Sequence, residues 1–340
     1  MIAYYVHHHG SGHRHRAVSI ARKLRTPVVG LSSAPEPEGW PGEWVRLPDD
    51  ADGVDTATAD VTAHGTLHWV PLGHQGLRAR MAAVSAVLAR PDVRALVSDV
   101  SVEIALLARL HGVAVVVMAQ PGDRLDPAHR LAYDAAERLL APWPARPQPG
   151  WPASWTAKAV HLGAVSRFDD RTAPDPPPGP GRVLALWGTG GTEVGAAEVV
   201  AAAEATPGWE WEVAGPPSAE PGPGNLRWRG WLSDPWPALG AAGVVVTHAG
   251  QNALAEVAAA RRPAVVIPQP RPFGEQRATA AALSRGRLAV VVPAWPAAER
   301  WPGLLDRAVR RGGDRWSHWS RGDGAARAAA LLDELGGSAR

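Results

Sequence analysis

Short apolar runs alternate along the chain with stretches whose apolar positions recur every three to four residues. In the first half the runs IAYYV (2–6), PVVGL (27–31), WVRL (44–47), ALVSDV (95–100) and VAVVVMA (113–119) predict buried strands. The stretches RAVSIARKL (16–24), LRARMAAVSAVLA (77–89), EIALLARLH (103–111) and AHRLAYDAAERLLA (128–141) predict helices between them. Two proline-rich segments follow. Residues 142–156 and 171–181 hold five prolines each, which rules out helix or central strand there and makes the second a stiff linker. The pattern then restarts, with strands at 183–187, 209–215, 244–248, 264–268 and 288–293 and helices at 192–205, 251–260 and 278–284. Such an order predicts an α/β protein of two tandem doubly wound domains, 1–165 and 183–340, joined by a linker at 166–182. Ligands of such sheets sit beyond the carboxyl ends of the strands, so the active site is expected in the cleft between the domains.

Composition narrows the function classes. A length of 340 residues suits two domains, and 46% hydrophobic with 20% charged residues is ordinary for a globular protein. The formal net charge of +2 and the lack of a basic tail argue against nucleic acid as a partner. The basicity is almost all arginine, Lys23 and Lys158 being the only lysines. With no cysteine there is no disulfide, no thiolate nucleophile and no Cys-ligated zinc. No apolar run approaches the ~18 residues of a membrane span, and the first residues lack the features of a signal peptide. A cytoplasmic protein is expected, at most peripheral to a membrane.

The richest chemistry lies in VVVTHAGQNALAEVAAARRPAVVIPQPRPFGEQ (244–276). A buried strand ends at His248 and a helix begins near Gln251, with Gly250 letting backbone approach a ligand. The amides and positive end of that helix suit a phosphate. Glu256, two turns in, can accept from a hydroxyl pair, and Glu275 and Gln276 follow the next strand at the same sheet edge. A second glycine loop, WGTGGT (187–192), with Gly190 and Gly191, also links a strand to a helix.

This stretch resembles the donor-site signature of GT-B glycosyltransferases, both the family 1 UDP-glycosyltransferases and the N-acetylglucosaminyltransferase that makes lipid II. His248, Gly250, Asn252, Glu256, Pro263 and Pro268 stand at the spacing of the H-x-G-x-N-x-x-x-E…P…P pattern, closed by Glu275-Gln276. The resemblance implies two Rossmann-like domains and a nucleotide-diphosphate sugar as donor substrate, without cofactor or metal. It also implies inverting transfer to an acceptor hydroxyl. His248 and nearby amides would hold the diphosphate, Glu256 the ribose hydroxyls, and Glu275 and Gln276 the sugar. Trp231 would stack on the base or serve ordinary packing. Three departures stand out: Arg261 replaces a usual glycine, the segment from Pro268 to Gln276 is about three residues longer, bringing in Arg271 as a candidate phosphate or sugar contact, and Trp231 stands one residue closer to His248. The last helix, 324–336, would pack back across the domains, as the fold generally does.

The loop HHHGSGHRHRA (7–17) resembles the G-x-G-H loop of the same enzymes, with Gly10 and Gly12 framing the turn and His13 matching their general base. A base of suitable pKa accelerates attack by a hydroxyl ~10²–10⁴-fold, more so when a third group fixes its tautomer. Asp99 matches the acidic partner, with helix capping at 101–111 as its other reading. In an extended strand His7, His8 and His9 point to alternate faces and do not converge on a metal. Arg14 and Arg16 either neutralise phosphates or form a solvated face. DDAD (49–52) contains a D-x-D but reads as a surface loop. The acceptor, a small molecule, lipid or glycan precursor, is not legible. A nucleotide-sugar hydrolase or 2-epimerase of the same fold and a non-catalytic nucleotide-sugar or metal binder are the alternatives. GSGHRHR also resembles the loop of a sugar-nucleotide hydrolase of nonulosonic-acid synthesis.

Overall fold

The computed structural model describes residues 1–146, 148, 150–175, 181–188 and 191–337. They form two units: Met1–Gly163 with the C-terminal segment from Asp323, and Ala164–Gly322.

The first unit is a parallel sheet of β1 (Ile2–Val6), β2 (Val28–Ser32), β3 (Glu43–Arg46), β4 (Ala95–Asp99), β5 (Ala114–Met118), β6 (Arg138–Ala141) and β7 (Ala159–His161). Its helices are α1 (Gly12–Ala21), α2 (Gln75–Leu88), α3 (Val102–Leu110), α4 (Pro127–Ala135) and α5 (Ala153–Lys158). Strand order is β3-β2-β1-β4-β5-β6-β7. Central strands covered on both faces read as continuous apolar runs, and every residue of β1, β2 and β4 is buried. Gly30 of β2 makes room for a tryptophan: a Cβ there would lie 2.1 Å from the Trp44 ring.

The second unit repeats the plan with β8 (Arg182–Leu186), β9 (Glu210–Ala214), β10 (Leu226–Gly230), β11 (Val244–Thr247), β12 (Ala264–Val266) and β13 (Val290–Val291). Its helices are α6 (Ala196–Glu204), α7 (Trp236–Ala241), α8 (Gln251–Ala259), α9 (Glu275–Arg285) and α10 (Trp301–Arg311). The order is β10-β9-β8-β11-β12-β13, again all parallel. Trp211 and Trp301 meet edge to face, centroids 5.2 Å apart, inside its core. In each sheet the strand order reverses once beside the first strand, between β1 and β4 and between β8 and β11. Those are the positions where doubly wound sheets bind ligands.

Four expectations change. The helix read over 128–141 stops at Ala135, and Arg138–Ala141 becomes β6. Ala136 turns extended and Glu137 N donates to Val115 O, so sheet pairing overrides the helical spacing. The proline-rich 142–156 segment ends in α5, which starts directly after Pro152, where a missing N–H costs a helix nothing. The expected 166–182 linker is in part built into the second unit, since Arg262 Nη2 donates to the carbonyls of Pro174 and Asp175 at 2.8 and 2.7 Å; residues 176–180 lie outside the described residues. The last helix, α11 (Gly324–Gly337), belongs to the first unit rather than to 183–340. There Asp333 accepts from the backbone amides of Arg25 and Thr26, the latter at 2.8 Å.

Candidate active site

In the first unit the chemistry gathers at the β1/β4 reversal. β1 ends at Val6, Gly10 turns the chain at φ 73°, and Gly12 opens α1, which carries His13 at its start. Asp99 is the last residue of β4 and is 0% exposed. Nδ1 of His13 lies 3.0 Å from Asp99 Oδ1, and His13 keeps 24% of its side-chain exposure. Arg16, one turn further along α1 and only 2% exposed, donates to both oxygens of the same carboxylate, through Nε at 3.2 Å and Nη2 at 2.6 Å. Burial works against the Asp99 charge, but Arg16 and then His13 hold its carboxyl well below the usual carboxylate range. A permanently ionised acceptor at Nδ1 draws the imidazole proton there and leaves the Nε2 lone pair for a substrate proton. Val100, directly after Asp99, sits at φ 71°, a costly conformation for a β-branched residue that is commonly kept at functional sites.

The helix-capping reading of Asp99 does not hold, because Ser101 caps α3, accepting from Ile104 N at 3.2 Å. Arg16 likewise neither faces solvent nor awaits a phosphate. Its guanidinium neutralises Asp99.

In the second unit the β8/β11 reversal carries the donor-type residues. His248 follows β11 and is 6% exposed. Its Nε2 accepts from Gly188 N at 3.4 Å, and its Nδ1 is buried with no hydrogen-bond partner among the described residues. Burial, then the nearby Arg271, pushes its pKa down to about 4. At neutral pH His248 is therefore uncharged, and with Nε2 accepting from Gly188 its proton sits on Nδ1. Gly250 caps α8, and Gln251 and Asn252 are its first residues, so its first-turn amides lie beside that donor. Gly191 turns at φ 87° and accepts from Arg271 Nη2 at 3.2 Å, while Gln269 Nε2 donates to Thr192 Oγ1 at 3.0 Å. The glycine loop and the lengthened 268–276 loop thus meet; Gly190 lies outside the described residues.

Glu275 and Gln276 open α9 after two successive left-handed residues, Phe273 and Gly274. Gln276 is 5% exposed, and its Oε1 accepts from the amides of Ala249 and Gln269 at 3.1 and 3.0 Å. Its carbonyl therefore ties the loop after β11 to the loop after β12. Glu256, 8% exposed in α8, pairs with Arg167 at 2.8 Å, a partner that lies outside the recognised stretch. Trp231 follows β10 and is 49% exposed. Arg261, standing for the usual glycine, adopts φ 54° after α8 and donates to the carbonyls of Ala258 and Ser320, each at 2.9 Å. A glycine would take this left-handed position without strain.

The remaining histidines and acids sort themselves. β1 ends before His7, so alternation no longer separates the three histidines, contrary to the sequence expectation. Their rings gather at centroid separations of 5.0, 5.2 and 4.4 Å. Two groups among the described residues, His7–His8–His9 and His68–Asp126–His129, place three metal-type donors within 4.8 Å of one another. Each is already engaged internally: His7 Nδ1 accepts from His9 N at 3.1 Å, and Asp126 Oδ1 lies 3.2 Å from His68 Nε2 while capping α4. The D-x-D is not simply a surface loop. Asp50 is buried and accepts from Arg80 Nη2 at 3.0 Å, while Asp49 and Asp52 are exposed. No helix among the described residues is long and apolar enough to cross a membrane.

Comparison with known proteins adds an independent line. Residues 234–301, which include His248, Glu256, Glu275 and Gln276, match the model of the glycosyltransferase family 28 C-terminal domain. No curated protein sequence matches the chain. Among solved structures, the glycotransferase of kitacinnamycin is similar at a TM-score of 0.71 and 18% identity, covering 98% of both chains. MurG of Acinetobacter baumannii is similar at a TM-score of 0.63 and 17% identity, covering 98% of this chain and 99% of its own. UGT2 of Phytolacca americana, complexed with UDP-2-fluoro-glucose and pterostilbene, is similar at 0.61 and 17% identity, over 98% and 93% of the chains. With this fold over its length and that match at the β8/β11 reversal, the chain has the two-domain GT-B fold, and its second unit carries a segment similar to the glycosyltransferase family 28 C-terminal domain.

Proposed function

We propose that the enzyme moves a sugar from a nucleotide-diphosphate sugar to an acceptor hydroxyl, with inversion and without a metal. The observation that carries the donor site is His248: a neutral, buried imidazole with one nitrogen held by Gly188 and the other, beside the start of α8, without a hydrogen-bond partner among the described residues. A diphosphate oxygen fits that position, taking the Nδ1–H bond and the helix amides together. Arg271, which already acts on His248 by its charge, adds a cation to the same loop. Glu256 takes the ribose hydroxyls, Trp231 the base, and Glu275 with the Gln276 NH2 group the sugar. A donor of the UDP type is supported by the ligand bound to the Phytolacca americana enzyme.

In the transfer step His13 Nε2 removes the acceptor hydroxyl proton as the oxygen bonds to the anomeric carbon. The carbon–oxygen bond to the diphosphate breaks on the opposite face, and the departing charge falls on the His248 and α8 donors. Asp99, kept ionised by Arg16, stabilises the imidazolium that forms. Attack by the acceptor oxygen on the face opposite the breaking bond is a single displacement, and it inverts the anomeric carbon.

The test supplies UDP-, dTDP- and GDP-sugars and follows nucleotide release with and without a panel of acceptors. Acceptor-dependent release of nucleoside diphosphate is expected. Equal release without acceptor would assign epimerase-like or hydrolytic chemistry, and monophosphate release would assign diphosphate cleavage. Binding without turnover would reduce the chain to a nucleotide-sugar binder.

A further inference from the structure

Glu256 does not stand alone. It is buried, and a carboxylate taken from water protonates unless a cation or donors hold its charge. Arg167 supplies both, its Nε donating to Glu256 Oε1 at 2.8 Å. The guanidinium is itself fixed: Nη1 donates to Ser233 O at 3.1 Å, and the group lies 4.7 Å from the Phe168 ring centroid. Arg167 sits 89 residues before Glu256, on the segment that opens the second unit. The chain therefore spends a remote arginine on one carboxylate of the donor site.

We propose that Arg167 is a positioning residue of the donor site, holding Glu256 as a fixed, ionised acceptor for the vicinal diol of a ribonucleoside diphosphate. The inference rests on the nucleotide-binding role given to Glu256 above. An ionised carboxylate accepts from two adjacent hydroxyls, whereas a protonated one must use one oxygen as a donor. Burial raises the Glu256 pKa, Arg167 opposes that rise by charge and hydrogen bond, and Asp234 adds to it. Asp234 is in turn paired with Arg171 at 3.0 Å, and Arg167 is the cation in contact with Glu256 that opposes its protonation. Loss of Arg167 leaves burial unopposed, and Glu256 then takes up a proton at a higher pH than in the parent protein.

UDP, GDP and dTDP, the last lacking the 2′-hydroxyl, are titrated calorimetrically into the wild type; dTDP binding as tightly as both ribonucleotides overturns the diol contact, and the tighter ribonucleotide is carried into R167A, R167Q, R167K, E256Q and R167A/E256Q between pH 5.5 and 8.5. Circular dichroism checks folding, with R167Q as the milder variant if R167A does not fold. R167A and R167Q are expected to bind about tenfold more weakly than wild type at pH 6, a loss of the size of one charge-assisted hydrogen bond. Their affinity should recover toward wild type as pH rises, because the carboxyl ionises. R167K should restore most of the affinity, and R167A should add nothing to E256Q. A pH profile parallel to wild type in both R167A and R167Q, or a further loss on adding R167A to E256Q, overturns the proposal. Failure of wild type to bind any of the three overturns the donor-site reading itself. The hold on the carboxylate is then judged without ligand, from the carboxyl carbon NMR titration of Glu256, which must move to higher pH in the variants.

Discussion

Two side chains around the Asp99 carboxylate define the proposed proton acceptor, and each fails differently. His13→Ala removes the group that takes the proton, so kcat should fall about 10²–10⁴-fold while donor affinity, measured by calorimetry, stays near wild type. Unchanged turnover removes His13 from the mechanism. Arg16→Met is a stability change before it is a kinetic one. It strips a fully buried Asp99 of the guanidinium that reaches both its oxygens. Breaking such a pair from one side costs about 3–5 kcal/mol, because an uncompensated charge stays buried. Urea unfolding should register that loss, and a variant as stable as wild type would mean Asp99 tolerates protonation. Of these residues, His13 and Asp99 were legible in the sequence because a glycine loop after one strand and an acid at the end of another fall at one sheet edge. Arg16 was not, since a cation on an amphipathic helix reads as solvated until the fold buries it.

The elements that place these groups are short, and backbone contacts fix them. After α8 the chain turns through left-handed Arg261, and Gly313 packs against that turn: a Cβ at 313 would lie 1.8 Å from the Arg261 carbonyl oxygen. The clash is with backbone, which cannot swing aside as a side chain does. Gly313→Ala should therefore cost about 1–3 kcal/mol, the usual range for overpacking, although alanine suits the local φ of −110°. A melting temperature within one degree of wild type would show that the turn yields. Nothing in the sequence marks Gly313, because its reason is a neighbour 52 residues away. The strands themselves were legible wherever an apolar run stood between turn residues, as in β1, β4, β8 and β11, and those four carry the site. The failures were elements whose local pattern conflicts with their place in the sheet. β6 was hidden in a helical spacing, and β10, LRWRG, exposes alternate arginines and was not read as a strand.

Across the molecule, each unit buries a neutral histidine, and this links stability to pH. His129 in the first unit is 8% exposed and His248 in the second is 6% exposed. Burial brings both pKa values down to about 4, with Asp126 partly opposing the shift at His129 and Arg271 adding to it at His248. In the unfolded chain the same side chains titrate near 6.5. Between those values the unfolded state binds more protons than the folded one, so stability rises with pH across that window and falls on acidification. The contribution is fully present above the unfolded pKa. It shrinks as pH drops from about 6.5 toward 4, by about 2 kcal/mol per histidine between pH 7 and pH 5. Asp99 and Asp126, both held below their ordinary values, extend the loss at still lower pH. Because the chain forms two compact units, the unfolding of each is followed by its own probe, and variants are compared under one protocol. Urea midpoints of wild type should drop steeply from pH 7 to pH 5. His248→Gln should flatten the transition that reports the second unit, and His129→Gln the one that reports the first. If each single change leaves the whole slope intact, the acid sensitivity lies in groups other than these two histidines, and the neutral, donor-poised state assigned to His248 loses its support.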